Sequence, residues 1–193
     1  MSYLRTFAPW ILYAIIAGDS AGSKRWGAMA ALAVTVLVVV QGRMRGQQFD
    51  ALIIEIGSGI FFVGLVVLAF VAPGSTLLGY SSALSSGALA VIAWGSLAIR
   101  HPFTLGIAKQ TTPPEHWGEP AFLRVNNIIT LVWAASFTVG AVVLAVIVHA
   151  GGGVLPRVLA QVAAFVIPMV FTVRYAAVVR ARAQDASAEG AVS

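Results

Sequence analysis

The sequence predicts an all-α integral membrane protein, a bundle of five transmembrane helices with one short additional apolar segment at its N-terminus. Of the 193 residues, 59% are hydrophobic and only 10% are charged, and the mean hydropathy is +0.90. Soluble domains carry about 25% charged residues, so this chain lacks the polar surface that a water-exposed globule needs. The apolar residues come in continuous runs, whereas the strands of a membrane barrel would alternate over about ten residues. Within a bilayer such runs must be helical, because the backbone has to satisfy its own hydrogen bonds.

Five apolar runs are long enough to cross the hydrocarbon core, which takes about 20 residues of helix. They cover residues 26–40, 51–72, 80–99, 128–148 and 155–179. Turn signals follow two of them, Pro73 with Gly74 in one case and the glycines at 151–153 in the other. Residues 1–182 are therefore predicted to form one polytopic membrane domain, and residues 183–193 a disordered polar tail.

The first apolar segment, residues 6–18, has no single predicted placement. As a helix it would reach only about 20 Å, short of the roughly 30 Å hydrocarbon core. It is interpreted as a re-entrant segment, an interfacial helix or a short sixth span. A cleaved signal peptide is a competing interpretation, but no suitable small-residue cleavage site precedes the next charges.

The cationic residues predict the orientation of the bundle. Eight of them lie in the connections after the spans 26–40 and 80–99 or at the C-terminal end: Arg43, Arg45, Arg100, Lys109, Arg124, Arg174, Arg180 and Arg182. The turns on the other side hold only Arg157, so the positive-inside rule places the three cationic regions and the C-terminus in the cytoplasm. The side of the membrane on which Arg5, Lys24 and Arg25 lie depends on whether residues 6–18 cross the membrane. The net charge of +5 is thus interpreted as a topology signal, since nucleic acid binding needs a clustered basic face.

The longest connection, residues 100–127, is expected at the cytoplasmic interface. Prolines at positions 102, 113, 114 and 120 rule out one continuous helix. We expect short pieces at the membrane interface, with Trp117 at headgroup depth. Asn126 and Asn127 are expected to cap the fifth span, because asparagine favours that position.

This connection is also the first candidate functional region. Its hypothesised role is a docking surface for a partner, with Arg100, His101, Trp117 and Phe122 as the candidate residues. An ordinary aromatic membrane anchor is an equally weighted alternative.

Glu55 is the second candidate, because its carboxylate lies within a run that is predicted to span the membrane. Exposing a charge to lipid costs several kcal/mol, so intramembrane carboxylates are functional hypotheses by default. A structural ion pair is the favoured interpretation and a proton or ion relay the alternative. Arg174 is a possible partner for either role.

The sequence predicts no cofactor, no metal and no enzymatic activity. The absence of cysteine excludes disulfides, thiolate metal sites and cysteine nucleophiles. His149 falls at the opposite membrane face from His101 and His116, so it shares no haem or metal with them. Those two histidines and Glu115 would bind a metal only if the loop folded to bring them together. No phosphate-binding glycine loop, nucleophile elbow or zinc-helix motif occurs.

Small residues recur at four-residue spacing on two spans. They are Ser82, Ser86 and Ala90 on one, with Ser136 and Gly140 on the other. Such spacing predicts close helix packing, and a ligand groove is the less favoured alternative.

Four short motifs resemble one known family. They are the early proline segment Phe7, Ala8, Pro9 and Trp10; the stretch Arg100, His101, Pro102 and Phe103; the stretch from Pro114 to Trp117; and the cluster Trp133, Ala134 and Phe137. On these motifs, residues 3–182 resemble the bacterial intracellular septation protein A family, as a divergent member. The resemblance makes Trp133 a further candidate residue.

What the resemblance implies is a multi-pass protein of the bacterial inner membrane with a non-enzymatic role in cell envelope maintenance or septation. Its expected partners are membrane lipids and other inner-membrane proteins or further copies of itself, and no nucleic acid. The main alternative is a small transporter or channel subunit that uses Glu55 and Arg174. A membrane enzyme acting on a lipid or quinone, with the loop histidines and Glu115, is the third hypothesis.

Overall fold

The structure is a computed structural model that describes residues 2–47 and 52–190, with side chains within residues 5–47 and 52–182. These ranges form helices and turns and hold no strand, so the predicted all-α fold class is confirmed. The helices are α1 (Ser2–Ile16), α2 (Ala21–Met44), α3 (Ile53–Val71), α4 (Thr76–Gly79), α5 (Ser81–Ala98), α6 (Phe103–Lys109), α7 (Pro120–His149) and α8 (Val154–Gly190), and a 3-10 turn covers Pro114–His116.

Five helices in the described ranges are long and apolar enough to cross a membrane. They are α2, α3, α5, α7 and the Val154–Arg182 part of α8. Their outward faces are apolar as well, with Ile60, Val91 and Ile167 all exposed. Soluble proteins rarely leave large continuous apolar surfaces in water, so this surface requires lipid. The molecule is a multi-pass membrane protein.

The short helix α1 packs inside the bundle, antiparallel to α2. Arg5 Nη2 lies 3.4 Å from the carbonyl oxygen of Val38, and Tyr13 packs against Gly27 near the other end of α2. Helix α1 therefore follows α2 for about 12 Å. Phe7 and Trp10 are only 2% and 4% exposed. The interfacial interpretation of the first segment is wrong, because these side chains are enclosed by other helices.

The remaining helices alternate in direction, which gives the bundle two distinct ends. Trp133 of α7 pairs with Thr172 of α8, while Ser136, further along α7, pairs with the earlier residue Ala164. This order shows that α7 and α8 are antiparallel. We name the end where α2 and α5 terminate and α7 begins the cation-rich end. The end where α2, α5 and α8 begin is the opposite end.

The structure places the cations whose side the sequence leaves open. Arg5 lies near Glu55 in the first turn of α3, towards the cation-rich end. Lys24 and Arg25 lie in the first turns of α2 at the opposite end. There Arg157 Nη1 donates a hydrogen bond of 2.9 Å to Asp19 Oδ1. With Arg5 added to the eight predicted residues, the cation-rich end has nine of the 12 Lys and Arg residues and the opposite end has three.

Helix α8 continues through Pro168 because α7 supplies a replacement hydrogen bond. Proline has no N–H, so the carbonyl of Ala164 lacks its usual helical donor. Ser136 Oγ on α7 donates to that carbonyl at 3.0 Å. The helices approach closely here, since a Cβ added to Gly140 would lie 2.8 Å from the Ala164 Cβ. The prediction that Ser136 and Gly140 lie on a packing face is confirmed.

Two helix boundaries differ from the sequence predictions. Helix α7 begins at Pro120, so the prediction that Asn126 and Asn127 cap it is wrong. Proline is favoured in the first turn of a helix, where its missing N–H costs nothing. Helix α8 extends to Gly190, where a disordered tail was expected from residue 183. This segment is rich in alanine, the strongest helix former, and residues 191–193 lie outside the described ranges.

Gly140→Val should lower the free energy of unfolding by about 1–3 kcal/mol, because the added carbons would force α7 and α8 apart. The matched control is Gly95→Val on α5, where an added Cβ meets nothing within 4 Å. Unfolding in mixed micelles with increasing dodecyl sulfate, followed by circular dichroism, measures both. Equal losses in the two variants would contradict the close α7–α8 contact.

Candidate functional site

The first candidate region is a polar seam between α1 and α3, which we define by Thr6, Trp10, Glu55 and Ser58. Thr6 Oγ1 donates to Glu55 Oε1 at 3.1 Å. One turn further along each helix, Trp10 Nε1 donates to Ser58 Oγ at 2.8 Å. Both bonds are buried, so no water competes for them. The seam fixes α1 against the start of α3.

Glu55 is buried, and only one of its oxygens is hydrogen-bonded. The side chain is 6% exposed, and Oε2 has no hydrogen-bond partner among the described residues. The positive charge of Arg5 attracts the Glu55 carboxylate. The two side chains nevertheless form no ion pair with a nitrogen–oxygen distance within 4 Å. The Arg5 Nε is likewise buried without a partner. These two unsatisfied atoms are groups that a water or ligand atom would complete.

The expected pairing of Glu55 with Arg174 is not formed among the described residues. Arg174 is exposed on α8, and it forms neither a hydrogen bond nor an ion pair with Glu55. The reason is the position of α1, which fills the side of α3 that carries Glu55. The cation near Glu55 is therefore Arg5. The sequence alone did not predict on which side of the membrane Arg5 lies.

The second candidate region begins where α5 ends. Arg100 adopts a positive φ of 59°, a conformation that favours glycine. The N–H of Arg100 donates to the carbonyl of Leu97, and the N–H of His101 donates to that of Ser96. This pattern is the Schellman motif, in which the left-handed residue is usually glycine. Arg100 and His101 are both exposed, so the motif presents two basic side chains at the cation-rich end.

Helix α6 anchors the connection within the bundle. Phe103, Leu105 and Ile107 are all buried within the protein. Thr104 Oγ1 donates to the carbonyl of Asn126 at 3.0 Å and lies 2.7 Å from the Thr130 hydroxyl. The inner half of the connection is thus fixed to α7 by buried hydrogen bonds.

The outer half of the connection is exposed but internally braced; we call residues 110–121 the loop platform. Trp117 Nε1 donates to the carbonyl of Thr112 at 2.9 Å, and the Lys109 ammonium lies 5.1 Å from the Trp117 ring centroid. His116 bonds to Glu119, and this carboxylate raises the pKa of His116. The prediction of short pieces in place of one helix is confirmed, since the 3-10 turn Pro114–His116 lies between the end of α6 at Lys109 and the start of α7 at Pro120.

Two further sequence candidates contribute mainly to packing. Trp133 is completely buried, stacks on Phe7 with a centroid distance of 5.0 Å, and donates from Nε1 to Thr172 Oγ1. Phe122 is partly buried, and its carbonyl accepts a hydrogen bond from Asn126 Nδ2. Trp133 therefore holds α7 against α1 and α8, whereas the bond to Phe122 lies within α7.

Five hydroxyl residues that hydrogen-bond to other helices were not predicted from the sequence. They are Thr6, Ser58, Thr104, Thr130 and Thr172. Their one signal in the sequence is that each is a hydroxyl residue within an apolar run. In hydrocarbon such a hydroxyl must form its hydrogen bond within the protein. Which residue of another helix bonds to each hydroxyl depends on how the helices pack. The spacing of residues along the chain does not predict that packing.

The described ranges contain no group of three or more His, Asp or Glu side chains placed to hold a metal ion. In particular, His116 pairs with Glu119, and Glu115 points out from an exposed turn. Comparisons with protein-family models, curated proteins and solved structures found no match to this chain. The site is therefore interpreted from its own geometry.

Arg100→Gly should raise the free energy of unfolding by about 1 kcal/mol, because glycine occupies the left-handed region without the steric cost that other residues carry there. Arg100→Val should lower it, since a β-branched residue is poorly accommodated at positive φ. Chemical unfolding of both variants beside the parent protein measures the difference. A loss of stability in Arg100→Gly would show that the side chain, rather than the backbone, sets the energy of this position.

Proposed function

We propose that this chain is a non-enzymatic, multi-pass protein of the bacterial inner membrane that acts in cell envelope maintenance or septation through contacts with other membrane proteins. The contact surface is the loop platform together with Arg100 and His101. The observation that carries the proposal is the construction of the connection between α5 and α7. Its inner half is fixed in the bundle by buried hydrogen bonds, while its outer half is exposed and braced by Trp117. A rigid scaffold that presents an exposed loop is the usual arrangement of a binding site.

The composition of the surface supports this role. Arg100, His101 and Arg124 are exposed at the cation-rich end, and Trp117 of the loop platform is half-buried. Tryptophan and arginine are enriched among the residues that dominate binding energy at protein interfaces. The Lys109 contact and the Thr112 hydrogen bond hold the Trp117 ring in one orientation, which reduces the entropy lost on binding.

The proposed location rests on the cation distribution and on the family resemblance. Nine cations at one end and three at the other favour a cytoplasmic cation-rich end and a cytoplasmic C-terminus. The motifs shared with the septation protein A family support the bacterial inner membrane and the envelope role. Both the loop platform and the end of α8 would then face the cell interior.

Crosslinking from the platform tests the proposal, and the absence of native cysteine makes single-cysteine variants specific. Glu115→Cys, carrying a photoactivated crosslinker, should yield discrete crosslinked membrane-protein species in intact membranes. Adding Trp117→Ala should reduce them at least about tenfold, because a central aromatic contact contributes about 2 kcal/mol or more. The matched control is Trp94→Ala, which also removes a half-exposed indole and its hydrogen bond, to Thr138.

Ala150→Cys provides the second control, because it lies at the opposite end beyond α7. It should react with an impermeant maleimide in intact spheroplasts, whereas Glu115→Cys should react only after permeabilisation. Crosslinks that persist in Trp117→Ala, or labelling with the reverse sidedness, would overturn the proposed contact surface.

The transporter or channel hypothesis remains the second candidate, because Glu55 is buried with one oxygen unpartnered. Our proposal predicts that proteoliposomes containing the parent protein and those containing Glu55→Gln show the same proton flux as empty liposomes. Glutamine keeps an oxygen that can accept from Thr6, so the seam should survive. The matched control is Glu119→Gln, an exposed carboxylate. A proton flux present in the parent and in Glu119→Gln but lost in Glu55→Gln would favour the transporter hypothesis.

A further inference from the structure

A groove of about 590 Å³ lies between α1, α5 and α8 and opens towards the opposite end. Its volume is within the roughly 300–1,000 Å³ range of small-molecule sites. We name it the α1–α8 groove and define it by its lining residues Ile11, Ile15, Tyr13, Val158, Phe165 and Met169. Ile15 is 76% exposed, so the groove is open on its lipid-facing side.

The groove is elongated along the membrane normal. Its lining on α8 extends from Val154 to Met169, which corresponds to about 22 Å of helix. One leaflet contributes about 15 Å of hydrocarbon, half of the 30 Å core. An acyl chain therefore fits along the groove, and its end would lie near Phe7 and Met169.

The charged groups of the groove lie in the part nearest the opposite end. They are Asp19, Lys24 and Arg157. Arg157 already pairs with Asp19. Lys24 lies near both charges, but its ammonium makes no hydrogen bond or ion pair with the described residues. The local charge is therefore +1, at the end of the bundle that has few cations.

We propose that the α1–α8 groove binds one anionic glycerophospholipid from the adjacent leaflet. One acyl chain lies along α8 towards Phe7 and Met169, and the second chain stays in the bilayer through the open side. The phosphodiester, with one negative charge, lies beside Lys24 and Arg157. The charge match and the charged groups at one end of a mostly apolar lining both agree with this occupant. The site is at the far end from the loop platform and is independent of the proposed function.

Native mass spectrometry of the full chain in detergent, with added lipids, tests the proposal. Phosphatidylglycerol should give one retained adduct at a lipid concentration where phosphatidylcholine with the same acyl chains gives none. Lys24→Gln should weaken this binding about tenfold, the effect of losing one hydrogen bond to a charged group.

The matched control is Arg25→Gln, which removes a cation at the same end. Arg25 lies over the Phe70 ring on α3 and does not line the groove, so this variant should bind phosphatidylglycerol like the parent. Equal weakening in Lys24→Gln and Arg25→Gln would show attraction by net charge alone and would overturn the site. Retention of palmitate without retention of phosphatidylglycerol would overturn the phospholipid assignment, as would the absence of any adduct.

Discussion

The lack of water in a bilayer is the constraint on which this structure depends, because every polar group inside it must find a partner within the protein. The contact between α7 and α8 shows the consequence most directly. Pro168 deprives the Ala164 carbonyl of its helical donor, and Ser136 from the neighbouring helix replaces it. One turn away, Thr172 accepts from Trp133 and donates to the carbonyl of Pro168. The proline and the serine thus act as one unit, and Gly140 keeps the helices near enough for the bond to form.

The same constraint explains why a helix as short as α1 has a central position. Alone it is too short to cross the hydrocarbon core, but within the bundle its polar side chains bond to α3 and its aromatic side chains fill the core. Phe7 stacks on Trp133 and also meets Phe103 at a centroid distance of 6.4 Å. The adjacent Thr6 bonds to Glu55. One turn of α1 therefore joins the polar seam to α6, and through α6 to the loop platform.

These contacts define what the sequence could predict. The long apolar runs and the prolines at 73 and 102 predict the spans and the broken connection, because they act through local backbone geometry. The partner of Glu55 was not predictable in this way. Arg174 was the plausible candidate by depth alone, whereas Arg5 became the neighbour only because α1 enters the bundle beside α3. The burial of α6 was not predicted for a related reason. No local feature of the sequence indicates that the Thr104 hydroxyl bonds to the Asn126 carbonyl and lies beside the Thr130 hydroxyl. The start of α7 was missed because Asn126, a frequent capping residue, instead bonds within the helix to Phe122.

The chemistry of the two ends differs in a way that packing alone does not require. At the cation-rich end, arginine occupies a left-handed position at residue 100 that glycine would fill at lower energy, and the loop beyond it is braced around an indole. At the opposite end, Lys24 lines an open groove, and its ammonium makes no hydrogen bond or ion pair with the described residues. A bundle under selection for stability alone would favour glycine at the first position and a satisfied or apolar side chain at the second. Residues that oppose local stability are commonly retained where they meet something outside the fold. Because the aromatic core around Phe7 and Trp133 lies between the two ends, substitutions at one end act on a different set of contacts from substitutions at the other.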